Sequence, residues 1–248
     1  MAPDIVSNVR SKLRRTWLTA KYLTLSPREF FFDRMRPFGI RNELIFLFII
    51  GLIGFIGWAF AARVILDPFV TGTEAALPGG RDATLPADVH YRIWGLAFWN
   101  SFGYILGAWI FYTIVIYAIS WYFSERGDLF SIAKNIAWTL YPMLYGFLIM
   151  TIGLVASFWM VDEIDMDMPG RTELAVAHLY DHGLEDPIVN ITMLAMIPFI
   201  IWTGYLAIFV VEKVRKLPRN TAVKIVIVPV LAHIVYVLWT VLSRLGWL

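Results

Sequence analysis

The stretch Leu44-Ile45-Phe46-Leu47-Phe48-Ile49-Ile50-Gly51-Leu52-Ile53-Gly54-Phe55-Ile56-Gly57-Trp58-Ala59-Phe60-Ala61-Ala62 holds no acidic or basic side chain. About 20 mostly apolar residues suffice to carry an α-helix across a bilayer core. Four further stretches free of Asp, Glu, Lys and Arg pass the same test: Ile93 to Ser124, Asn135 to Val161, Pro187 to Val211 and Ile225 to Ser243. The predicted fold is therefore all-α: a polytopic membrane protein with five transmembrane helices, filling a membrane domain over 44–243. The second stretch exceeds what a span needs, so tilt or extension past the membrane is expected.

Composition agrees. Hydrophobic residues make up 59% of the 248 and charged residues 16%, against roughly 45–50% and 25% in soluble domains. A water-soluble fold could not hide that much apolar surface, so lipid is the solvent for most of it. The absence of cysteine excludes disulfides and thiolate metal sites. The segment 1–43 has no long apolar run ending in a small-residue cleavage site, so the first span is expected to stay in the mature chain.

The basic residues orient the predicted spans. Residues 1–43 carry nine Lys/Arg, 125–134 carry two and 212–224 carry five, giving 16 of the 21 on one side. Such an excess marks the cytoplasmic face. A cytoplasmic N-terminus and an outward C-terminus follow as expectations. Acidic residues lean the other way, with eight between Asp162 and Asp186.

On a helical wheel, Ile5, Val6, Val9, Leu13, Trp17, Ala20 and Leu23 share an arc of about 120°. Arg10, Lys12, Arg14, Arg15 and Lys21 fall outside it. This amphipathic helix suits the cytoplasmic headgroup layer, or else a seat on the protein's own cytoplasmic side. Ser26-Pro27 should break it, and Phe30, Phe31 and Phe32 read as a second dip into the interface. With Lys213, Arg215 and Lys216, these cations and Trp17 make the predicted surface for lipid or partner.

Small residues mark predicted helix contacts, because in lipid, association depends on close backbone approach. Gly51, Gly54 and Gly57 recur every third residue, and Gly103 and Gly107 form a Gly-x-x-x-Gly pair. Either packing within one bundle or a seam between copies would use them. Pro142, Pro198 and Pro229 should kink three spans, and broken helices can also frame a transport site.

Candidate chemistry is sparse. No span contains an ionisable Asp, Glu, Lys or Arg, which argues against ion-coupled transport and voltage sensing. His233 alone among four histidines lies at mid-membrane depth, so a bis-histidine haem lacks its second ligand. His233 remains a candidate one-sided cofactor ligand, or a histidine hydrogen-bonded across helices to a tyrosine or carbonyl. His178 and His182, spaced i and i+4 among carboxylates, are candidate metal ligands; a solvated acidic loop is the plainer reading. No nucleophile–base pair, phosphate-binding glycine loop or dinucleotide fingerprint occurs. No enzyme activity, no bound cofactor and no nucleic-acid partner are expected.

Three stretches in order resemble the YIP family of multi-pass membrane proteins, named for binding Ypt/Rab GTPases. They are Leu25-Ser26-Pro27-Arg28-Glu29-Phe30-Phe31; Glu125-Arg126-Gly127-Asp128-Leu129-Phe130 with Ala137-Trp138-Thr139-Leu140-Tyr141-Pro142; and Ile201-Trp202-Thr203-Gly204-Tyr205-Leu206 with Asn220-Thr221-Ala222-Val223-Lys224 and Pro229. The resemblance covers roughly 23–243 and implies five spans with a cytoplasmic N-terminus. The eukaryotic Asp-Leu-Tyr-Gly-Pro signature is absent, so the chain looks like a prokaryotic member, seated in the cytoplasmic membrane, for which Rab binding is not assumed. The family supplies no catalytic residues. The expected function is a membrane scaffold or accessory subunit contacting lipids and other integral membrane proteins. The alternatives are a channel or carrier for a neutral or lipid-like solute, and an outward-facing metal-binding protein.

Overall fold

The structure, a computed structural model, describes residues 18–34, 40–76, 87–159 and 186–245. Helix α1 covers 18–25. Ser26 leaves helical geometry (φ −142°), and a single turn, α2 (Pro27–Glu29), runs into a π turn at Phe30–Arg34. The remaining elements are α3 (Ile40–Ala76), α4 (Ala87–Phe98), a π turn at Trp99–Gly103, α5 (Tyr104–Phe123), α6 (Leu129–Thr139), α7 (Met143–Trp159), α8 (Pro187–Leu194), α9 (Ile197–Arg215) and α10 (Arg219–Arg244). No strand occurs among the described residues.

Four spans are continuous or nearly so: α3 from Ile40 to Phe60, α4–α5 from Trp94 to Phe123, α8–α9, and α10. The remaining one, third in chain order, is bent by 46° between α6 and α7. The bend falls at Leu140-Tyr141-Pro142, where three successive residues leave the helix as a turn, because Pro142 has no N–H to continue the ladder. Ahead of Pro198 the fourth span is interrupted only by a short turn at Ala195-Met196, and α8 and α9 still run as one span. Pro229 instead lies inside an unbroken α10. The predicted kinks thus correspond to a 46° bend at Pro142 and a short turn ahead of Pro198, while the helix runs on unbroken through Pro229.

Two boundaries differ from the hydropathy reading. Helix α3 does not stop at Ala62 but continues to Ala76, and α4 begins six residues before Ile93. Backbone hydrogen bonding, not apolarity, sets where a helix ends, so charged residues such as Arg63 extend it without a break.

The core has two parts. Toward one end, Leu47 and Ile50 of α3 meet Ile105, Phe147, Met150, Leu154, Met196 and Ile200. Toward the end bearing α1 and α2, Leu23 and Phe31 join Tyr112, Ile116, Ile132, Leu206, Phe209 and Ile225. Leu23 is fully buried while Lys21 is exposed. Of the two seats open to the amphipathic helix, the described end takes the bundle. Phe30 and Phe31, read as an interfacial dip, are core residues: Phe31 stacks on Phe209 (6.5 Å, 11°) and Phe30 meets Trp138 edge-on (6.0 Å). Only Phe32 is left exposed.

Glycines set the closest approaches. A Cβ on Gly57 would stand 2.9 Å from the Cα of Thr151, and those on Gly51 and Gly54 would meet the rings of Phe102 and Phe147. These three glycines thus seat α3 on α7 and on the π turn. Gly103 has a different role from the one its spacing predicts, since its Cβ would strike its own Trp99 inside the π turn. Gly107 faces open space. The Gly-x-x-x-Gly pair therefore makes no helix contact within the described bundle. Two glycines not singled out by spacing do: Gly153 against Thr192, and Gly204 against Val230.

Candidate functional site

The segment 18–34, the 124–128 connection and the 216–218 connection meet at one end of the bundle. Their organiser is Arg215. Ile200, Gly204, Ala207, Val211 and Arg215 form the buried stripe of α9, and the i+4 step from Val211 carries Arg215 inward. Arg215 is 1% exposed. Its Nε donates to Ser120 Oγ (2.8 Å), its Nη1 to the carbonyls of Ser124, Arg126 and Gly127 (3.2, 2.7 and 2.9 Å), and its Nη2 to the Tyr117 carbonyl (3.2 Å). The guanidinium also lies 4.6 Å from the centre of the Tyr117 ring.

All five acceptors are neutral oxygens, so the cation is held by dipoles rather than a paired carboxylate. Ser124 Oγ returns a bond to the Arg215 carbonyl (3.0 Å), satisfying one group left open where α9 ends. Lys216 then caps α9 in the left-handed region (φ 56°). Across from it Gly127 takes φ +78°, and a Cβ there would lie 2.7 Å from the Val214 carbonyl oxygen. Only glycine suits that position. Asp128 follows as N-cap of α6, accepting from the Ser131 amide, and these bonds hold its carboxyl below the usual range.

Arg215 was grouped by sequence with the exposed cations. Its burial removes it from that surface, for the reason the stripe gives. The exposed cations at this end are Lys21, Arg28, Arg41, Arg126, Lys216, Arg219 and Lys224; Lys213 is half-buried. Arg10, Lys12, Arg14, Arg15 and Trp17 lie outside the described residues, as do His178 and His182. Glu43, one residue ahead of the first predicted span, is buried in the first turn of α3, where the Trp138 indole donates to it (3.4 Å).

Beside the clip an open groove of about 690 Å³ separates α2 from α9 and the start of α10. Arg28 and Arg219 line it, each over a phenylalanine: Arg28 over Phe32 (5.8 Å) and Arg219 over Phe209 (5.5 Å). Leu25, Tyr205, Glu29 and Asp33 complete the walls used below. No sequence signal pointed to this groove, because its two sides are about 180 residues apart and are joined by the packing of Leu23, Phe30 and Phe31 against Leu206 and Phe209.

His233 sits deeper. Its Nε2 is 2.5 Å from Tyr104 Oη and its Nδ1 is 3.3 Å from Tyr112 Oη, two turns apart on α5. Both ring nitrogens thus face phenols. One tyrosine donates to the imidazole and the other accepts from it, which ties α10 to α5. An axial ligand would require displacing one of them. Among the described residues no three His, Cys, Asp or Glu side chains gather as a metal site would require.

The bundle of four apolar spans plus one bent pair fits the multi-span helical architecture that the motif resemblance implied. No curated protein and no solved structure matches the chain. A family model, the Yip1 domain, matches residues 21–242, and the chain belongs to that family of membrane proteins.

Proposed function

We infer that the protein is a non-enzymatic membrane scaffold or accessory subunit, acting through helix contacts in the bilayer and a basic platform at the α1–α2 end. The observation that carries this reading is the Arg215 clip. It devotes a buried cation to fixing the 124–128 connection, and so sets exposed Arg126, Lys216 and Arg219 on a shaped surface. A fixed array of charges recognises a partner better than a loose one, because less order is lost on contact. The surplus of basic residues at this end supports a cytoplasmic orientation, and the absence of the eukaryotic Asp-Leu-Tyr-Gly-Pro signature favours a prokaryotic cytoplasmic membrane as the setting. The outward flanks of α5 and α10, with Ile110, Ile114, Leu231 and Val235 exposed, suit lipid or a neighbouring helix.

Capture of the tagged chain from native membranes in mild detergent tests the reading. Stoichiometric recovery of another integral membrane protein is expected, weakened when Arg126, Lys216 and Arg219 are changed together to Gln. Recovery of the chain alone under several detergents would count against it.

A second reading, a carrier for a neutral or lipid-like solute, has one specific observation in its favour. The two interrupted spans face each other: Gly146, just after the Pro142 bend, packs against Met196 at the turn ahead of Pro198. Flux of neutral solutes and lipid scrambling in liposomes would be measured, and silence in both removes it.

A further inference from the structure

We propose that the groove between α2 and the α9–α10 junction binds one membrane phospholipid, its phosphodiester held by Arg28 and Arg219 and its acyl chain leaving past Tyr205 and Leu25. The argument starts from the two arginines. Each guanidinium lies over a phenylalanine ring, and among the described residues neither donates a hydrogen bond or pairs with a carboxylate. A ring within about 6 Å of the guanidinium carbon restrains the side chain without using its N–H donors. Those donors match two oxygens of a phosphate. Two such forks on opposite walls of one groove can hold one phosphate between them.

Charge decides which phosphate. Glu29 and Asp33 also line the groove, and carboxylates beside the ligand repel a dianion more than a monoanion. The groove suits a single negative charge better than two, a phosphodiester better than inorganic phosphate or a monoester. The walls supply the remaining half of the ligand. Leu25 is 69% exposed and Tyr205 42% exposed, which gives the site an apolar exit toward the bilayer. Tyr205 sets its ring edge-on to Phe209 (5.2 Å), and tyrosine is enriched at headgroup depth. A volume near 690 Å³ falls in the range of sites that hold a small ligand; here it takes a headgroup and its first methylenes. This inference uses the membrane placement of the platform but not the existence of a protein partner, so capture of a partner and retention of a lipid can fail separately.

The test is lipid retention by the full-length chain, purified in mild detergent and stripped of lipid, read by native mass spectrometry. Phosphatidylglycerol, diacylglycerol with the same chains, and phosphatidic acid are titrated in parallel. One retained phosphatidylglycerol is expected, with phosphatidic acid weaker and diacylglycerol weaker by about ten-fold or more. R28Q and R219Q should each lower retention about ten-fold, and K224Q, at the same end but outside the groove, should not. Each variant's melting temperature with lipid is compared with its own lipid-free value, so a weakened fold does not mask the result. If R28Q/R219Q cannot be purified, R28Q alone decides, since Arg28 is exposed and makes no hydrogen bond. Wild-type retention in the arginine variants, or equal retention of diacylglycerol, overturns the proposal. Displacement of phosphatidylglycerol by inorganic phosphate at millimolar concentration overturns the lipid as occupant.

Discussion

Arg215→Gln should release the 124–128 connection while leaving the membrane bundle folded. The side chain makes five hydrogen bonds to neutral oxygens. Hydrogen bonds involving a charged group contribute roughly 1.5–3 kcal/mol each, and they do not add. Three of the acceptors lie in an exposed connection, where water replaces the lost donor. Glutamine also keeps one or two weaker bonds. The net loss is then about 3 kcal/mol, near the lower end for breaking a buried charged network. The Arg126–Gly127 peptide gives a direct readout. Arg126 is exposed, but its carbonyl is held by Arg215, so trypsin must wait for the connection to open. When opening is fast relative to cutting, the cleavage rate tracks the open population, and 3 kcal/mol becomes about two orders of magnitude. Limited trypsinolysis in mild detergent, followed by mass spectrometry of the Arg126 cut, measures it. Arg215→Lys keeps the charge but loses the fork, and an increase of about ten-fold is expected. Cleavage of R215Q at the wild-type rate, with unchanged melting, would refute the account of Arg215 as the organiser of this end.

Other outcomes follow from single contacts. Gly127→Ala combines a disfavoured φ of +78° with a clash on the Val214 carbonyl, and should cost about 1–3 kcal/mol, read as a lower melting temperature and faster Arg126 cleavage. Gly57→Leu should push α3 off α7 at Thr151 and abolish recovery of folded protein, whereas Gly107→Leu, which points into open space, should leave the monomer's melting unchanged; a drop at Gly107 would contradict the packing described. His233→Phe leaves two phenols without their imidazole and should lower stability by roughly 0.6–1.7 kcal/mol, with Tyr104→Phe/His233→Phe costing little more than the single change. The N-cap of α6 should weaken in acid. The carboxyl of Asp128 is held below its usual range when folded, so its contribution is complete above the unfolded value and disappears as pH falls through the lower, folded one. The fall in melting temperature below about pH 4 should therefore be larger in the wild type than in Asp128→Ala, whose N-cap is already lost at neutral pH.

The spans were legible because twenty apolar residues in a row have few other readings. Their interruptions were legible at Pro142 and Pro198, since a missing N–H is a local property. At Pro229 the same missing N–H leaves the helix unbroken, because whether a proline interrupts a helix depends on the neighbours that satisfy the freed carbonyl. Glycine spacing located the α3–α7 contact but misassigned Gly103, whose π turn is invisible to a 3.6-residue wheel. Phe30 and Phe31 read as interfacial because three aromatics before a span suit the headgroup layer; only their registry with Phe209 and Trp138 put two of them inside. Arg215 could have been found by extending the Ala207–Val211 stripe one more turn. Charge alone sent it to the surface, because a buried arginine is rare unless its partners are known, and its partners here are carbonyls of a remote connection. The lipid groove could not be read at all, being a space between segments with no pattern of its own.

The clip also has a place in time. Its acceptors lie 88 to 98 residues before the arginine that binds them. At roughly 5–20 residues per second of translation, the ribosome has moved on for about 5–20 seconds before Arg215 exists. During that interval the turn at Gly127 has no cation to close on, and the chain must insert two further spans first. The last hydrogen bonds at this end therefore report that the fourth span has arrived in register. A truncated chain that lacks Arg215 would keep this connection open and accessible to proteolysis.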